Sequence, residues 1–513
     1  MDRWIGKYAI VTGVSSGIGE SIARELVTAG VNVLGLARRE NRLQDLAENL
    51  KNSKATFHYL KCDLRKEQDI LDAFAFAEKN FGRVDILINN AGLVFESTLE
   101  DAKTDNCRAL LDVNLLAPAL CIREALKLMR KYKTEGHIVN INSILGLNAT
   151  VIAVPMNLYP ASKFALRAMT ETLKLEIRTN NDKIRVTGIH PGVVDTEICD
   201  TTESLHKLFN VLAALDSKDV ADCVIFALSV PPHVQVCTPI MLQSLNYSLF
   251  NSIHTYITLA FYINTGMDRW VGKFAIVTGV SSGIGEVLAK ELVTLGVNVL
   301  GLARRENRLQ ELSNSLKNSK GAFHYLKCDL RNEQDILNAF AFAEKNFGRV
   351  DILVNNAAIL TYDTFENAKT EDYRALLDIN VLAPALCIRE ALKSMRKHKN
   401  EGHIININSI AGHNAAISPI PVNLYPASKF ALRAMTETLK LEIKTNNDKI
   451  RITGIHPGIV KTEIINVIDG INEILNVMPY LESKDIVDCV IFALSAPPHV
   501  QIDELTVTAY TNK

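Results

Sequence analysis

The sequence has little that would mark a nucleic-acid binder, a disulfide-built protein or a membrane protein. Its 513 residues carry 56 basic and 57 acidic side chains, for a net charge of −1. That balance argues against a nucleic-acid footprint or a polybasic membrane patch. The nine cysteines contain no Cys-x-x-Cys pair. Cys62, Cys121 and Cys223 recur as Cys328, Cys387 and Cys489 inside apolar segments, which reads as small buried thiols in a reducing compartment. No metal site and no disulfide framework are expected. No basic region precedes an apolar stretch at the start, so no secretory signal is expected, and the chain reads as cytoplasmic. Long apolar runs are also scarce. Cys237–Gly266 lacks Asp, Glu, Lys and Arg, but Gln243, Asn246, Ser248, Asn251, Ser252 and His254 interrupt it. A span needs about 20 predominantly apolar residues, so this stretch reads as a linker or poorly ordered insert rather than a membrane helix.

What the sequence does contain is a repeat. MDRWIGKYAIVTGVSSGIGE at Met1 returns as MDRWVGKFAIVTGVSSGIGE at Met267. Tyr159 and Tyr425 keep the same spacing, so a whole domain is duplicated. The expected organisation is a first domain over 1–237, a linker or insert over 238–266, and a second domain over 267–513. The abrupt restart at Met267 also suggests a read-through or a fused gene model.

Within each copy, apolar runs alternate with helical patterns. In the first copy, strands are predicted at Tyr8–Gly13, Val31–Ala37, Thr56–Lys61, Val84–Asn89, His137–Asn142 and Ile184–Ile189. Helices are predicted at Ile18–Ala29, Asp105–Lys131 and Asn157–Thr179. Continuous apolar strands separated by helices imply an α/β fold with a parallel sheet covered on both faces, the doubly wound dinucleotide (Rossmann) arrangement, here twice in tandem.

Thr12-Gly13-Val14-Ser15-Ser16-Gly17-Ile18-Gly19 joins the first strand to the first helix. Glycines allow a tight turn and close approach of a pyrophosphate, and the helix N-terminus offers unpaired N–H groups. A ligand-free strand–helix turn would use the same residues. The second copy repeats Gly279, Ser281, Ser282, Gly283, Ile284 and Gly285. The second strand then ends in Arg38-Arg39, repeated as Arg304-Arg305, where an acidic residue would hold the ribose 2′-hydroxyl of NAD. Guanidinium suits a 2′-phosphate, so NADP(H) is favoured over NAD(H); a solvated basic helix start is the plainer reading. Asp63-Leu64 and Asp329-Leu330 follow the third strand, placed either to bond an adenine amine or to cap the next helix. Asn90-Ala91-Gly92 and Asn356-Ala357-Ala358 follow the fourth, where small residues let backbone lie against a cofactor or simply make a turn.

Tyr159 and Lys163, and Tyr425 and Lys429, are spaced i, i+4 and share one helix face. A phenol is a poor acid or base at neutral pH; a neighbouring ammonium favours the phenolate. Such a tyrosine can exchange the alcohol proton as hydride moves to or from a nicotinamide. Ser143 and Ser409, at strand ends, could hold a carbonyl oxygen. Asn114 and Asn380 sit inside a predicted helix, where asparagine is unfavourable and invites a reason. Alone, each of these is more often structural.

Together, TGxxxGxG, NNAG, a helical Asn, a strand-end Ser and YxxxK occur in an order that resembles the classical short-chain dehydrogenase/reductase family, twice. The resemblance covers nearly all of each copy. It implies catalytic tetrads of Asn114, Ser143, Tyr159 and Lys163, and of Asn380, Ser409, Tyr425 and Lys429. It also implies that the Asn supports a relay water, that Tyr and Lys contact the cofactor, and that Pro191-Gly192 and Pro457-Gly458 lie beside the nicotinamide. Dimers or tetramers built through long helices are usual in the family, which implies pairing of the two copies or a homo-oligomer. MDRW-x-GK, GLARR and PPHVQ are similar to the insect farnesol-dehydrogenase-like branch and its steroid- and carbonyl-reducing relatives. That likeness implies a small apolar alcohol or carbonyl as substrate. There are departures: an insert at Leu147–Asn157 expected to reshape the substrate mouth, Ala358 in place of Gly92, where a methyl could crowd the cofactor, and Lys461 in place of Asp195. Other readings are one active copy with a structural partner, or an NADP-binding scaffold without turnover; intact tetrads in both copies weigh against the latter.

Overall fold

The computed structural model describes residues 1–152, 154–198, 214–230, 240–241, 266–416, 420–468, 470–471 and 480–509. The chain divides into two compact units that largely follow the two copies.

In the first copy, β1 (Tyr8–Thr12), β2 (Asn32–Ala37), β3 (Phe57–Lys61), β4 (Ile86–Asn89), β5 (Gly136–Ile141), β6 (Ile184–Pro191) and the short β7 (Ile240–Met241) are parallel, and the sheet order is β3-β2-β1-β4-β5-β6-β7. Val11 in β1 is in register with Gly35 on one side and Ile88 on the other. Ala9 and Val11 of β1 share a core cluster with Ile22 and Leu26 of α1 (Gly17–Thr28), Leu43 of α2 (Glu40–Leu50) and Val220 of the Ser217–Ser229 helix. Helices α3 (Glu67–Phe81) and α5 (Ala117–Lys131) pack together, α5 lies on β4 and β5, and α6 (Tyr159–Thr179) lies on β6. Strands β2 and β4 flank β1, so successive connections leave in opposite directions there. Their carboxyl ends part to form a crevice, the usual ligand position in such sheets. The second copy repeats the plan from Phe274–Thr278 to Glu504–Val507 with the same strand order.

The tryptophan of each MDRW segment is a clamp. Trp4 Nε1 donates to the Leu228 carbonyl at 2.8 Å and Arg3 to the same oxygen at 2.7 Å. Trp270 and Arg269 treat Leu494 in the same way. Each copy's first turn is thereby tied to the last turn of its late helix.

Three expectations change. The predicted helix Asp105–Lys131 is α4 (Thr104–Leu111), a π-helical turn at Asp112–Leu116, and α5. Pro118 has no N–H to donate four residues back, to the Asn114 carbonyl. The helix widens there, and Ala117 N–H instead reaches Asp112 O, five residues back. Second, α6 begins at Tyr159 rather than Asn157. Asn157 has a φ of +40°, and its amide donates to Phe95 O and Ser97 Oγ, so the chain turns there before the helix starts. Third, Ile240–Met241, placed in the linker from sequence, pair with His190–Pro191 as β7. Parallel pairing uses backbone groups, so a short apolar segment suffices. Of the expected linker over 238–266, residues 238–239 and 242–265 lie outside the described residues. Among the described residues no helix is long and apolar enough to cross a membrane.

Candidate active site

Each copy has a cleft of about 430 Å³ above the carboxyl ends of its strands. In the first copy it is lined by Gly13, Ser15, Ser16, Gly17, Ile18, Arg38, Arg39, Asp63, Leu64, Asn90, Ala91, Gly92, Ser143, Tyr159, Lys163, Pro191 and Gly192. The second copy's cleft is lined by the counterparts of all of these, with Ala358 at the position of Gly92. Two pairs of expected residues stand behind the wall rather than in it: Gly19 and Gly285, and Asn114 and Asn380.

The glycine turn is built for backbone proximity. Gly13 has a φ of +74°, and a Cβ there would meet the Ala91 Cα at 2.9 Å. At Gly19 a Cβ would lie 2.3 Å from the Gly13 carbonyl oxygen and 2.4 Å from Asn90 Nδ2. Asn90 Nδ2 donates to Thr12 O at 2.9 Å, and Thr12 Oγ1 accepts from the N–H groups of Asn90 and Ala91. The Asn90 side chain therefore fastens the β4 turn to the glycine turn, and what it leaves for a cofactor is backbone. Helix α1 receives no side-chain cap, so its first-turn N–H groups are available to an anion. These features fit a dinucleotide pyrophosphate.

The arginine end carries a carboxylate that sequence reasoning missed. Arg39 donates to the hydroxyls of Ser15 and Ser16 at 2.6–3.1 Å and to Glu197 at 2.6 Å. Arg42 also pairs with Glu197, at 3.4 Å. Arg305, Arg308 and Glu463 repeat this in the second copy. There the hydrogen bonds of Arg305 and Arg308 hold the Glu463 carboxyl down to about 2. Both copies keep Thr-Glu four residues past the PG turn although the residue before it changes from Asp195 to Lys461, and that retention was the available signal. Arg38 is exposed at the end of β2. Asp63 is held by Arg65, whose backbone N–H and guanidinium both bond it, and it does not cap the next helix, whose N-cap is Lys66.

At the other end, Lys163 is 4% exposed and its Nζ donates to the Ile141 carbonyl at 3.2 Å. Nζ stands 5.6 Å from the centre of the Tyr159 ring. Lys429 is matched, with Ile407 O at 3.2 Å and the Tyr425 ring at 5.8 Å. Burial pushes both ammonium groups down to about 8. It also pushes the Tyr425 phenol up to about 12, against the lowering effect of its hydrogen bond with Ser409. For Tyr425, then, the neighbouring lysine does not by itself bring the phenol toward neutrality, as the sequence argument had it. Ser143 Oγ accepts from the Leu145 N–H at 3.1 Å.

Asn114, 1% exposed, explains its place in a helix. Its Nδ2 donates to Leu93 O at 2.8 Å and Ser162 Oγ at 3.1 Å, and its Oδ1 accepts from Leu93 N–H at 2.7 Å. It fastens the turn after β4 to the helix carrying Tyr159 and Lys163, and Asn380 does the same with Ile359 and Ser428. A Cβ at Gly92 would face Asn114 Oδ1 at 3.6 Å and Lys163 Nζ at 3.9 Å, ordinary van der Waals distances. The methyl of Ala358 is therefore aimed at the Asn and Lys side chains, without a steric clash.

The remaining wall is apolar. Val94, Ile152, Met156 and Ile198 line the first cleft, and Ile152 comes from the insert after Ser143. Val94, Ile144, Leu145 and Met156 form a small core against which Tyr159 packs. In the second copy Ile420, Ile464, Ile465, Ile468 and Ile471 take this part.

Comparison with known proteins points to one family. The family model described as short chain dehydrogenase matches residues 7–206 and again 273–469. Farnesol dehydrogenase of Aedes aegypti is 46% identical over 243 residues, 46% of this chain and 95% of that protein. Dehydrogenase/reductase SDR family member 11 of Bos taurus is 38% identical over 247 residues, 47% of this chain and 96% of that protein. Among solved structures, the C-domain of a bacterial malonyl-CoA reductase with NADP superposes with a TM-score of 0.73, covering 98% of this chain and 99% of that one. At 16% identity it is a likeness of fold.

Proposed function

The chain belongs to the short chain dehydrogenase family, and from that premise we propose that each copy is an NADP(H)-dependent oxidoreductase acting on an apolar alcohol or carbonyl, such as a farnesol-like isoprenoid or a steroid. The observation that carries the proposal is one cleft, present twice, with a Tyr–Lys pair at one end, an arginine pair at the other and an apolar wall between.

The cofactor, when bound, supplies the hydride acceptor or donor. The residues of the chain do the rest. Arg38 and Arg39 select a 2′-phosphate, and the glycine turn admits the pyrophosphate. Ser143 and Tyr159 hold the substrate oxygen, and the phenol gives or takes its proton. Lys163, charged below pH 8, holds the ribose and passes the proton on. Asn114 positions the turn and helix between which this happens. In the second copy Asn380, Ser409, Tyr425 and Lys429 have the same roles. The Tyr425 phenol, kept protonated by burial, is ready to donate to a carbonyl oxygen, whereas alcohol oxidation requires the phenolate. In the second copy carbonyl reduction should therefore dominate at neutral pH and oxidation rise with alkalinity.

Turnover of the purified chain against isoprenoid alcohols and aldehydes, steroids and small polar carbonyls, with NADPH and NADH, tests this. Preference for NADPH, lost in Arg38→Asp/Arg304→Asp, and for apolar substrates is expected. Equal efficiency with both cofactors, or preference for small polar substrates, would overturn the respective part.

A further inference from the structure

We propose that the second copy holds a divalent transition-metal ion of the zinc type on His413, His456 and Glu504, at a site the first copy does not have. The ligand atoms of the three residues all lie within 4.8 Å of one another. His456 Nε2 is 3.6 Å from one Glu504 oxygen, and His413 Nε2 is 3.7 Å from the other. Zinc bound by nitrogen and oxygen at about 2.0–2.1 Å sets tetrahedral ligands roughly 3.3 Å apart, so small side-chain movements would close the set.

The fold prepares these donors. His456 lies in the strand Ile450–Pro457 and Glu504 in its neighbour Glu504–Val507. The register pairs Glu504 with Gly454, two residues before His456 and so on the same face. A Cβ at Gly454 would stand 2.9 Å from His456 Nε2, so glycine leaves that space to the cluster. His413 closes the short 3₁₀ turn that follows Ser409. His456 Nδ1 faces the Ser409 carbonyl at 3.3 Å; donating there leaves the lone pair on Nε2. That second-sphere bond to a backbone carbonyl is the kind that orients metal-binding histidines.

Both buried Nε2 atoms face Glu504. His456 is 1% exposed, and neither its Nε2 nor that of His413 has a hydrogen-bond partner. An unpaired buried acceptor is costly, and here two aim at one carboxylate. Arg433 contacts a Glu504 oxygen at 3.1 Å and opposes a cation, while Glu437, paired with Arg433, offsets that charge. His413 and Glu504 are partly exposed, which gives an ion a way in. In the first copy Leu147 stands at the position of His413, and Thr238 at the offset of Glu504. The ion would pin the C-terminal strand to the strand end carrying Pro457-Gly458, just behind Ser409.

The test is titration of the metal-free full chain with zinc chloride by calorimetry, with cobalt(II) chloride as a spectroscopic stand-in. One equivalent should bind at micromolar concentration or tighter, and cobalt should give the visible bands of a low-coordinate His/carboxylate site. His413→Leu, which installs the first copy's residue, and Glu504→Gln should each weaken binding by at least about 100-fold, since losing even an outer-sphere partner costs about 10–100-fold. Zinc should raise the melting temperature of the wild type only. No binding at 100-fold excess, or binding that both variants retain, would overturn the proposal. Should His413→Leu fail to melt cooperatively in chelator, Glu504→Gln decides.

Discussion

Replacing Lys163 and Lys429 together by methionine should stabilise the protein while stopping turnover. Each ammonium is almost fully buried, and its Nζ makes one hydrogen bond, to a strand carbonyl. Its pKa falls from the ordinary 10.5 to about 8 through burial. At about 1.36 kcal/mol per tenfold change in protonation, that fall costs roughly 3 kcal/mol of folding free energy per lysine. Methionine has similar length and no charge to desolvate, but it orphans the Ile141 or Ile407 carbonyl, a loss of about 1 kcal/mol. The net gain is about 2 kcal/mol per copy. For domains of this size it should appear as roughly 4–8 °C in melting temperature. The sign with pH follows from which state binds more protons. Between pH 8 and 10.5 the unfolded chain holds the lysine proton and the folded one does not, so wild-type stability gains with pH across that window. The advantage of the variant should therefore be full at pH 7 and much reduced by pH 9.5. The assay is thermal melting followed by far-ultraviolet circular dichroism at the two pH values, beside turnover. Equal or lower melting of the double variant at pH 7, or an advantage that does not shrink at pH 9.5, would refute the reasoning.

Three further outcomes are expected. Tyr159→Phe should abolish the first copy's share of activity and Tyr425→Phe the second's, each by about 10²–10⁴, with the double variant nearly inactive; total loss from Tyr159→Phe alone would mean that the second copy does not turn over. Gly285→Ala would put a methyl 2.4 Å from both the Gly279 carbonyl oxygen and Asn356 Nδ2. It should cost about 1–3 kcal/mol and remove dinucleotide binding from the second copy, leaving half the binding stoichiometry in an equilibrium titration; full stoichiometry would contradict the close packing. Trp4→Ala should destabilise the first copy by about 3–5 kcal/mol, since it empties a buried site and breaks the bond to Leu228, and a melting temperature within 2 °C of wild type would count against the clamp.

The sequence alone determined the duplicated plan, the parallel sheet and the glycines and most polar side chains that line the two clefts. Those signals are local: continuous apolar strands, a glycine turn at a strand–helix junction, and a Tyr–Lys spacing that a helix converts into one face. Asn114 was legible as an anomaly in a helix. Its reason was not, because it depends on Leu93 and Ser162 meeting it across the fold and on Pro118 opening the helix at that turn. The helix start at Tyr159 likewise waited on Asn157 finding Phe95 and Ser97. Glu197 and Glu463 became site residues only when the chain after β6 came back beside α1 and the arginines. The seventh strand of the first copy came from a segment with no strand pattern of its own, since backbone pairing to β6 needs no side-chain signal. The His413, His456 and Glu504 cluster was invisible for the same reason: its members are 43 and 48 residues apart in sequence. What brings them together is a sheet register and a turn, and these are set by the packing of the whole domain, not by spacing along the chain.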